Sequence, residues 1–418
     1  MTDFSTKSVA VVDNGLFSEA AITLASSFGK VYYTSPWVAD YPSSYRTELG
    51  EGFPEYERIE DIWDVVDDVD LFVFPELHQG PLQEYLVGRG KRVWGSRYGE
   101  EFEVNRKQAK EFFESLSIPQ APYKVITGMT ALRKYIKSRD KDKLWIKISL
   151  TRSDTETFCA EGYDMVKTRL DDFQARFGPT SEYREFIVED NLPDTYDLAI
   201  DTYCIDGQYP QQSLLGNEQK DEGYIGVVKQ WNEFPPKLTE IYEKLSPALK
   251  DFEYRNFFAV ECRTGKSGMW LSDPCCRVGS PIFELELHMI KNFAEIIWEG
   301  AGGKIVQPQY KGKYGFEVLL ESQWVNEHPL LVEYPEEFRD QIKFRYATQF
   351  PDGLWIMPQR QGPAFGSVVA YGDSIDACVE EVEEIASQIK GVQVEAFTSS
   401  AGKLKKNLKD LATYGVRF

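Results

Sequence analysis

Cysteine and histidine are scarce, six and three in 418 residues. Cys159, Cys204, Cys262, Cys275, Cys276 and Cys378 are widely spaced with no CxxC pair, which argues against a disulfide framework or a zinc knuckle and fits a reducing compartment. His78, His288 and His328 show neither metal-ligand spacing nor a nucleophile partner, so a histidine-based hydrolase is not indicated. No apolar run approaches the ~18 residues of a membrane span, and the start, MTDFSTKSVAVVD, lacks the basic and apolar regions of a signal peptide. A cytoplasmic protein without membrane contact is the expectation. Positive charge is also in deficit: 47 Lys and Arg face 67 Asp and Glu, a net −20 that repels nucleic acid phosphates at long range. Direct nucleic acid binding is therefore not expected, although a local basic pocket for a small anion is compatible with the total.

The composition, 42% hydrophobic and 27% charged, is that of a folded globular chain, and the length predicts two to four domains at ~100–200 residues each. Short β-branched runs alternate with helical patterns in the first hundred residues: Ser8–Val12, Val31–Tyr33, Asp70–Phe74 and Arg92–Trp94. That alternation predicts βαβ units and a parallel sheet. Asn105 then caps a helix bearing Ala109, Phe112, Phe113 and Leu116, stopped by Pro119. Later strands, Leu144–Ile148, Phe186–Glu189 and Leu198–Ile205, read as antiparallel, the last with an Asp206-Gly207 hairpin turn. The tail predicts a strand at Ser367–Ala370, a cap at Asp373 or Ser374, and a helix with Ile375, Val379, Val382, Ile385 and Ile389 on one stripe, ended by Gly391. The fold class is α/β and α+β, multidomain.

Folding Phe257–Glu261 back on Met269–Asp273 as a hairpin brings Glu261 and Asp273 approximately opposite each other. Two like charges at that distance repel unless a cation sits between them, and magnesium suits one or two carboxylates with phosphates in its other positions. Solvated strand-end acids are the alternative. Lys147, inside the apolar strand Trp145–Ile148, either snorkels outward or meets an anion. Arg277, in a Gly-containing loop after the acidic strand, offers a planar fork for phosphate or carboxylate, or else a surface salt bridge. Lys220-Asp-Glu-Gly223, with Gly226 beyond, reads as a Gly-bearing loop able to line an anion site, or as an ordinary loop. Cys275 and Cys276 read as small buried hydrophobes.

Taken in order, these segments resemble the ATP-grasp superfamily, and within it the phosphoribosylamine–glycine ligase family. Val11-Val-Asp-Asn-Gly15 is similar to the first strand and turn, Asp70-Leu-Phe-Val-Phe-Pro-Glu76 to the strand ending in Pro-Glu, and Trp94-Gly95 to an aromatic-Gly step. Asn105 to Tyr123 resembles the helix and Ile-Pro segment leading into the ATP region, with Arg106 in place of the usual ATP-contacting lysine. Trp145-Ile-Lys147 resembles the phosphate-binding strand, Ile187-Val-Glu-Asp-Asn-Leu192 the adenine hinge, and Asp197 falls near the ribose acid.

The resemblance implies an ATP-grasp fold with a parallel-sheet pre-ATP-grasp domain at 1–105, a small subdomain with its linker helix at 106–188, a central subdomain at 189–310 and a C-terminal α+β domain at 311–418. It implies a carboxylate–amine ligase, monomeric or homodimeric, that makes an amide through an acyl phosphate, joining an amino acid such as glycine to an amine on a nucleotide- or sugar-type acceptor. ATP would be held by Arg106, Lys147, Arg152, Glu189 and Asp197, and Mg2+ by Glu261 and Asp273. Arg277, Lys220 and Asp221 would carry catalysis, and Gly15, Glu76, Gly223 and Gly226 would line the substrate sites. Three departures accompany it. The lid loop, Ser149 to Thr157, has no glycine, so that Thr151, Arg152 and Ser153 would have to supply side-chain donors. The first-domain turn is reduced to Gly15-Leu-Phe-Ser-Glu19, and Cys275 stands where the family has a magnesium-binding asparagine. A nucleotide-binding regulatory or scaffold protein is the alternative these departures support.

Overall fold

Residues 3–35, 48–149, 157–358 and 362–418 are described by a computed structural model. They form two compact units, one of Met1–Glu100, Asp197–Val260 and Cys275–Phe418, the other of Glu101–Tyr196 and Glu261–Pro274. The crossing from Val260 to Glu261 falls inside the unbroken strand Arg255–Gly265. No glycine, proline or polar run marks it in the sequence.

The first unit opens with a parallel sheet ordered Glu57–Arg58, Lys30–Thr34, Ser8–Val12, Leu71–Val73, Arg92–Trp94. Its middle strand reads as an apolar run because both faces are covered. Val9 and Val11 enter one core with Tyr33, Leu71 and Val73, while Ala10 and Val12 enter another with Tyr32, Phe72 and Phe74. An antiparallel sheet follows, in which Thr195–Ile205, Gln212–Gln219, Gly223–Gln230, Tyr314–Ser322, Ala364–Gly372 and Ile342–Phe344 are successive neighbours. Asp206 (φ 49°) and Gly207 (φ 80°) make the expected hairpin turn, both left-handed as a two-residue hairpin connection requires. In the tail, Ser374 Oγ accepts the Ala377 N–H at 3.2 Å and starts the helix Ile375–Ala386. That helix stops at a Ser387 cap rather than at Gly391, because Lys390 next to the glycine is already bridged to Glu333 in an extended conformation.

A buried acid in this unit has a measurable consequence. Glu317, mid-strand and inaccessible, accepts the Ile282 N–H at 3.0 Å, while Glu284 pairs with Arg345 at 2.5 Å. One guanidinium serves two carboxylates. Burial first, then the charge of Glu284, push the Glu317 pKa up to about 8 against the pull of Arg345. Unfolded, a glutamate releases its proton near ~4.3, so between that pH and 8 folding retains a proton the unfolded chain has lost. Stability therefore falls as pH rises through this window, by about 5 kcal/mol at most, at ~1.4 kcal/mol per unit. Glu317→Gln is expected to melt higher than the wild type at pH 8.5 and about level with it at pH 5. A thermal melt series across pH reads this directly.

The second unit is a four-stranded antiparallel sheet ordered Tyr123–Thr127, Glu185–Asp190, Lys143–Ile148, Thr157–Glu161. Leu144, Ile146, Ile148, Phe186 and Val188 point from one face into a core with Met129, Leu132 and Ile136 of helix Met129–Ser138 and Val166, Leu170 and Phe173 of helix Tyr163–Phe177. Both helices show the 3–4 residue spacing of a buried stripe. Alternation then sends Tyr123, Trp145, Lys147 and Glu189 to the opposite face, with Glu189 directly between Tyr123 and Trp145 in register. The segment Glu261–Pro274 is tied to this unit by the Leu271 N–H, which donates to the Pro119 carbonyl at 2.8 Å.

Candidate functional site

The second unit gathers charge where its sequence looks apolar. Asn105 caps the helix Arg106–Ser115, its Oδ1 accepting the Gln108 N–H at 3.4 Å. Of the four expected apolar positions, Ala109 and Phe113 are buried and Phe112 and Leu116 are half-buried; Arg106 and Lys110 are buried too. Arg106 and Lys110 are four residues apart, one turn above the other on the buried face. Lys147, on the strand Lys143–Ile148, is only 3% exposed, which decides between snorkelling and burial in favour of burial.

Lys147 Nζ lies 2.5 Å from Asp273 Oδ2 and 3.2 Å from Glu189 Oε2, and donates to the Ser272 carbonyl at 3.1 Å. Lys110 pairs with the other Glu189 oxygen and donates to Gln120 Oε1 at 3.2 Å. Arg106 Nε stands 3.8 Å from Asp273 Oδ1, and its Nη1 donates to the Ile148 carbonyl at 3.1 Å. Burial works against the Lys147 ammonium, but Asp273 and Glu189 outweigh it and hold its pKa above the ordinary lysine value. Asp273 is the mirror case, its carboxyl held below the usual range because Lys147 and Arg106 outweigh its burial. Lys110 is displaced downward, by burial first, with Glu189 opposing and Lys147 adding to the fall. Three cations against two carboxylates leave this cluster at +1 inside a chain of −20.

The donor set fits a polyphosphate with magnesium. Buried, convergent N–H donors match phosphate oxygens. Among the described residues no three His, Cys, Asp or Glu side chains form a metal-ligating group; magnesium bound with a nucleotide takes only one or two protein carboxylates, and Asp273 offers one within the cluster. Asp273 is on the strand Gly268–Cys275 and half-buried Glu261 on Arg255–Gly265, the neighbouring strand, with Lys266 and Ser267 forming the turn between them.

In the first unit, two residues assigned to different roles meet: Arg277 Nε lies 3.2 Å from Glu76 Oε1, both side chains largely buried. Arg277 Nη1 also donates to the Val278 carbonyl at 2.6 Å. The surface salt bridge expected as the alternative for Arg277 is thus a buried one. Gly15 (φ 99°) accepts no side chain, since a Cβ would come within 2.9 Å of the Tyr346 ring. Its N–H donates to Asp13 Oδ2 at 2.9 Å. Burial pushes that acid's pKa up to about 6.

Gly223 and Gly226 depart from the loop reading: both lie in the strand Gly223–Gln230, paired on either side with Gln219 and Val318, and with Gly216 and Gly315. Their backbone groups face neighbouring strands in a ladder. Lys220 and Asp221 occupy the exposed turn before it, Lys220 Nζ 3.9 Å from Glu218. The Asp197 carbonyl accepts the Asn217 side-chain amide at 2.5 Å. Arg152 lies outside the described residues. Lys110 escaped sequence reasoning, although its i+4 spacing from Arg106 was the available signal.

No protein-family model matches the chain, and no curated protein matches its sequence. Solved structures do match in fold. Phosphoribosylamine–glycine ligase from Thermotoga maritima superposes with a TM-score of 0.68 at 15% identity, over 93% of this chain and 98% of the other. Biotin carboxylase from Campylobacter jejuni, in complex with β-γ-ATP, gives 0.68 at 11% identity over 97% and 96%. N5-carboxyaminoimidazole ribonucleotide synthetase from Thermus thermophilus gives 0.61 at 12% identity over 91% and 98%.

Proposed function

We propose, from the premise that this chain has the ATP-grasp fold, that it is an ATP-dependent carboxylate–amine ligase. The observation that carries the reading is the cluster of buried Arg106, Lys110, Lys147 and Glu189 with half-buried Asp273, whose net positive charge runs against the rest of the molecule. The fold is shared with structures whose own names are ligase, synthetase and carboxylase, one of them crystallised with ADP.

In this reading Arg106 and Lys147 bind phosphate oxygens, Asp273 and Glu261 hold magnesium, and Arg152 is a further phosphate donor. Asp197 and the Ile187–Leu192 segment that carries Glu189 belong to the adenosine end, while the Glu189 side chain pairs with Lys110 and Lys147. MgATP, when bound, supplies the phosphoryl group that activates the carboxylate. Arg277, aligned by Glu76, orients that carboxylate and offsets the charge that develops on it. Lys220 and Asp221 present the amine from their exposed turn. An amino acid such as glycine, joined to an amine on a nucleotide- or sugar-type acceptor, is the substrate pair proposed.

The test is ADP release with MgATP across pooled amino acids and amines. Release that requires one member of each pool supports the ligase. A second reading, a nucleotide-binding regulatory protein, draws on Cys275: its buried thiol is directed at the Arg277 carbonyl, 3.7 Å away, and sulfur is a poor magnesium ligand. MgATP binding by calorimetry, without ADP release under any pool, would favour that second reading.

A further inference from the structure

Within the charged cluster Glu189 is the shared member: one carboxylate oxygen pairs with Lys110 and the other lies 3.2 Å from Lys147. Lys110 is in turn fixed from three sides. Its ammonium donates to Gln120 Oε1 at 3.2 Å, the same Gln120 donates back through Nε2 to the Lys110 carbonyl at 3.0 Å, and the Tyr123 ring sits 5.0 Å from Nζ. This is a rigid mount for a side chain that otherwise carries high rotamer entropy. Lys147, by contrast, is held by carboxylates alone and one carbonyl. To serve a phosphate it must release Asp273, and a Glu189 with no other cation would hold it back.

We infer that Lys110 is a positioning residue: by engaging Glu189 it frees Lys147 to move from Asp273 to a nucleotide phosphate, and it supplies the cluster's net positive charge. The inference rests on the nucleotide-binding reading above. Removing Lys110 leaves two cations, Arg106 and Lys147, against Glu189 and Asp273, a cluster of zero charge with both acids bearing on Lys147. Neutralising Glu189 in the same background restores +1 and releases Lys147 again.

The experiment measures MgATP affinity by calorimetry, with the KM for MgATP and kcat alongside, at a temperature where all variants are folded by circular dichroism. Lys110→Met is expected to weaken MgATP binding about tenfold and to raise KM more than it lowers kcat. Lys110→Met with Glu189→Gln is expected to regain most of that affinity, and Lys110→Arg to keep most of it. A direct phosphate contact by Lys110 predicts that the double variant binds no better than the single one, and that result overturns the inference while leaving the nucleotide site standing. Equal affinity of Lys110→Met and wild type overturns it too. Wild-type protein that binds no MgATP removes both the inference and the reading beneath it.

Discussion

Replacing Asp273 with asparagine is expected to lower the rate of ADP release on the order of a hundred- to a thousandfold, the range found when one preorganised hydrogen-bond donor is removed from a transition state. The shape is preserved but the negative charge is gone, so a magnesium ion loses one of at most two protein carboxylates. The fold should survive the change. Lys147 keeps Glu189 at 3.2 Å and the Ser272 carbonyl at 3.1 Å, so its buried ammonium is not stranded. With the Asp273 side chain 28% exposed, the stability loss is expected to be about 1–2 kcal/mol rather than the ~3–5 of a fully buried broken pair. A melting curve and a coupled ADP assay on the same preparation separate the two effects. The acid limb should change as well. The Asp273 carboxyl titrates below its unfolded value, so its contribution is complete above about pH 4 and disappears as pH falls through the folded value. The asparagine variant lacks that part of the acid-induced loss. Unaltered ADP release would remove Asp273 from the metal assignment.

Much of the architecture is legible in the sequence because it is governed by local periodicity. The run Val9–Val12, apolar at consecutive positions, announces a strand covered on both faces, and the Asp206-Gly207 pair announces its hairpin; both are present. What depends on long-range partners is less visible. Gly223 and Gly226 resemble loop residues in composition, yet they lie in a sheet because strands on both sides supply their hydrogen bonds. Gly391 looks like a helix stop, but the chain has turned toward Glu333 before reaching it.

The candidate site divides in the same way. Lys147 stands out as a lysine among Trp145, Ile146 and Ile148, and the parity of the strand puts it on the face away from the core. Its partners could not be read from the strand: Glu189 is 42 residues away and Asp273, on its hairpin strand, 126. Lys110 was masked by its own helix, where a lysine between Ala109 and Phe113 passes for an exposed neighbour of an apolar stripe. Its burial becomes clear only once Glu189 is placed beneath it. Arg277 and Glu76 have no sequence relation either, and only the folded chain brings them to 3.2 Å.

The largest expected effect on binding follows from Lys147. In Lys147→Met the buried stem is replaced by one of similar length, so packing is nearly conserved while the cluster falls from +1 to zero, with Arg106 and Lys110 left facing Asp273 and Glu189. A ligand present at a hundred times its dissociation constant raises stability by about 2.7 kcal/mol. The wild type is accordingly expected to show a clear upward shift of its melting temperature in MgATP. The methionine variant is expected to show almost none, at any ATP concentration that leaves the wild type saturated. Lys147→Arg separates charge from reach. It keeps the cluster at +1, but a planar guanidinium is larger than the ammonium that now fits between two carboxylates and a carbonyl, so the expected shift lies between those of the wild type and the methionine variant. If arginine restored the full shift, net charge alone would govern binding. If both variants matched the wild type, the phosphates would have to be held elsewhere, and neither Lys147 nor the cluster built around it could be the nucleotide site.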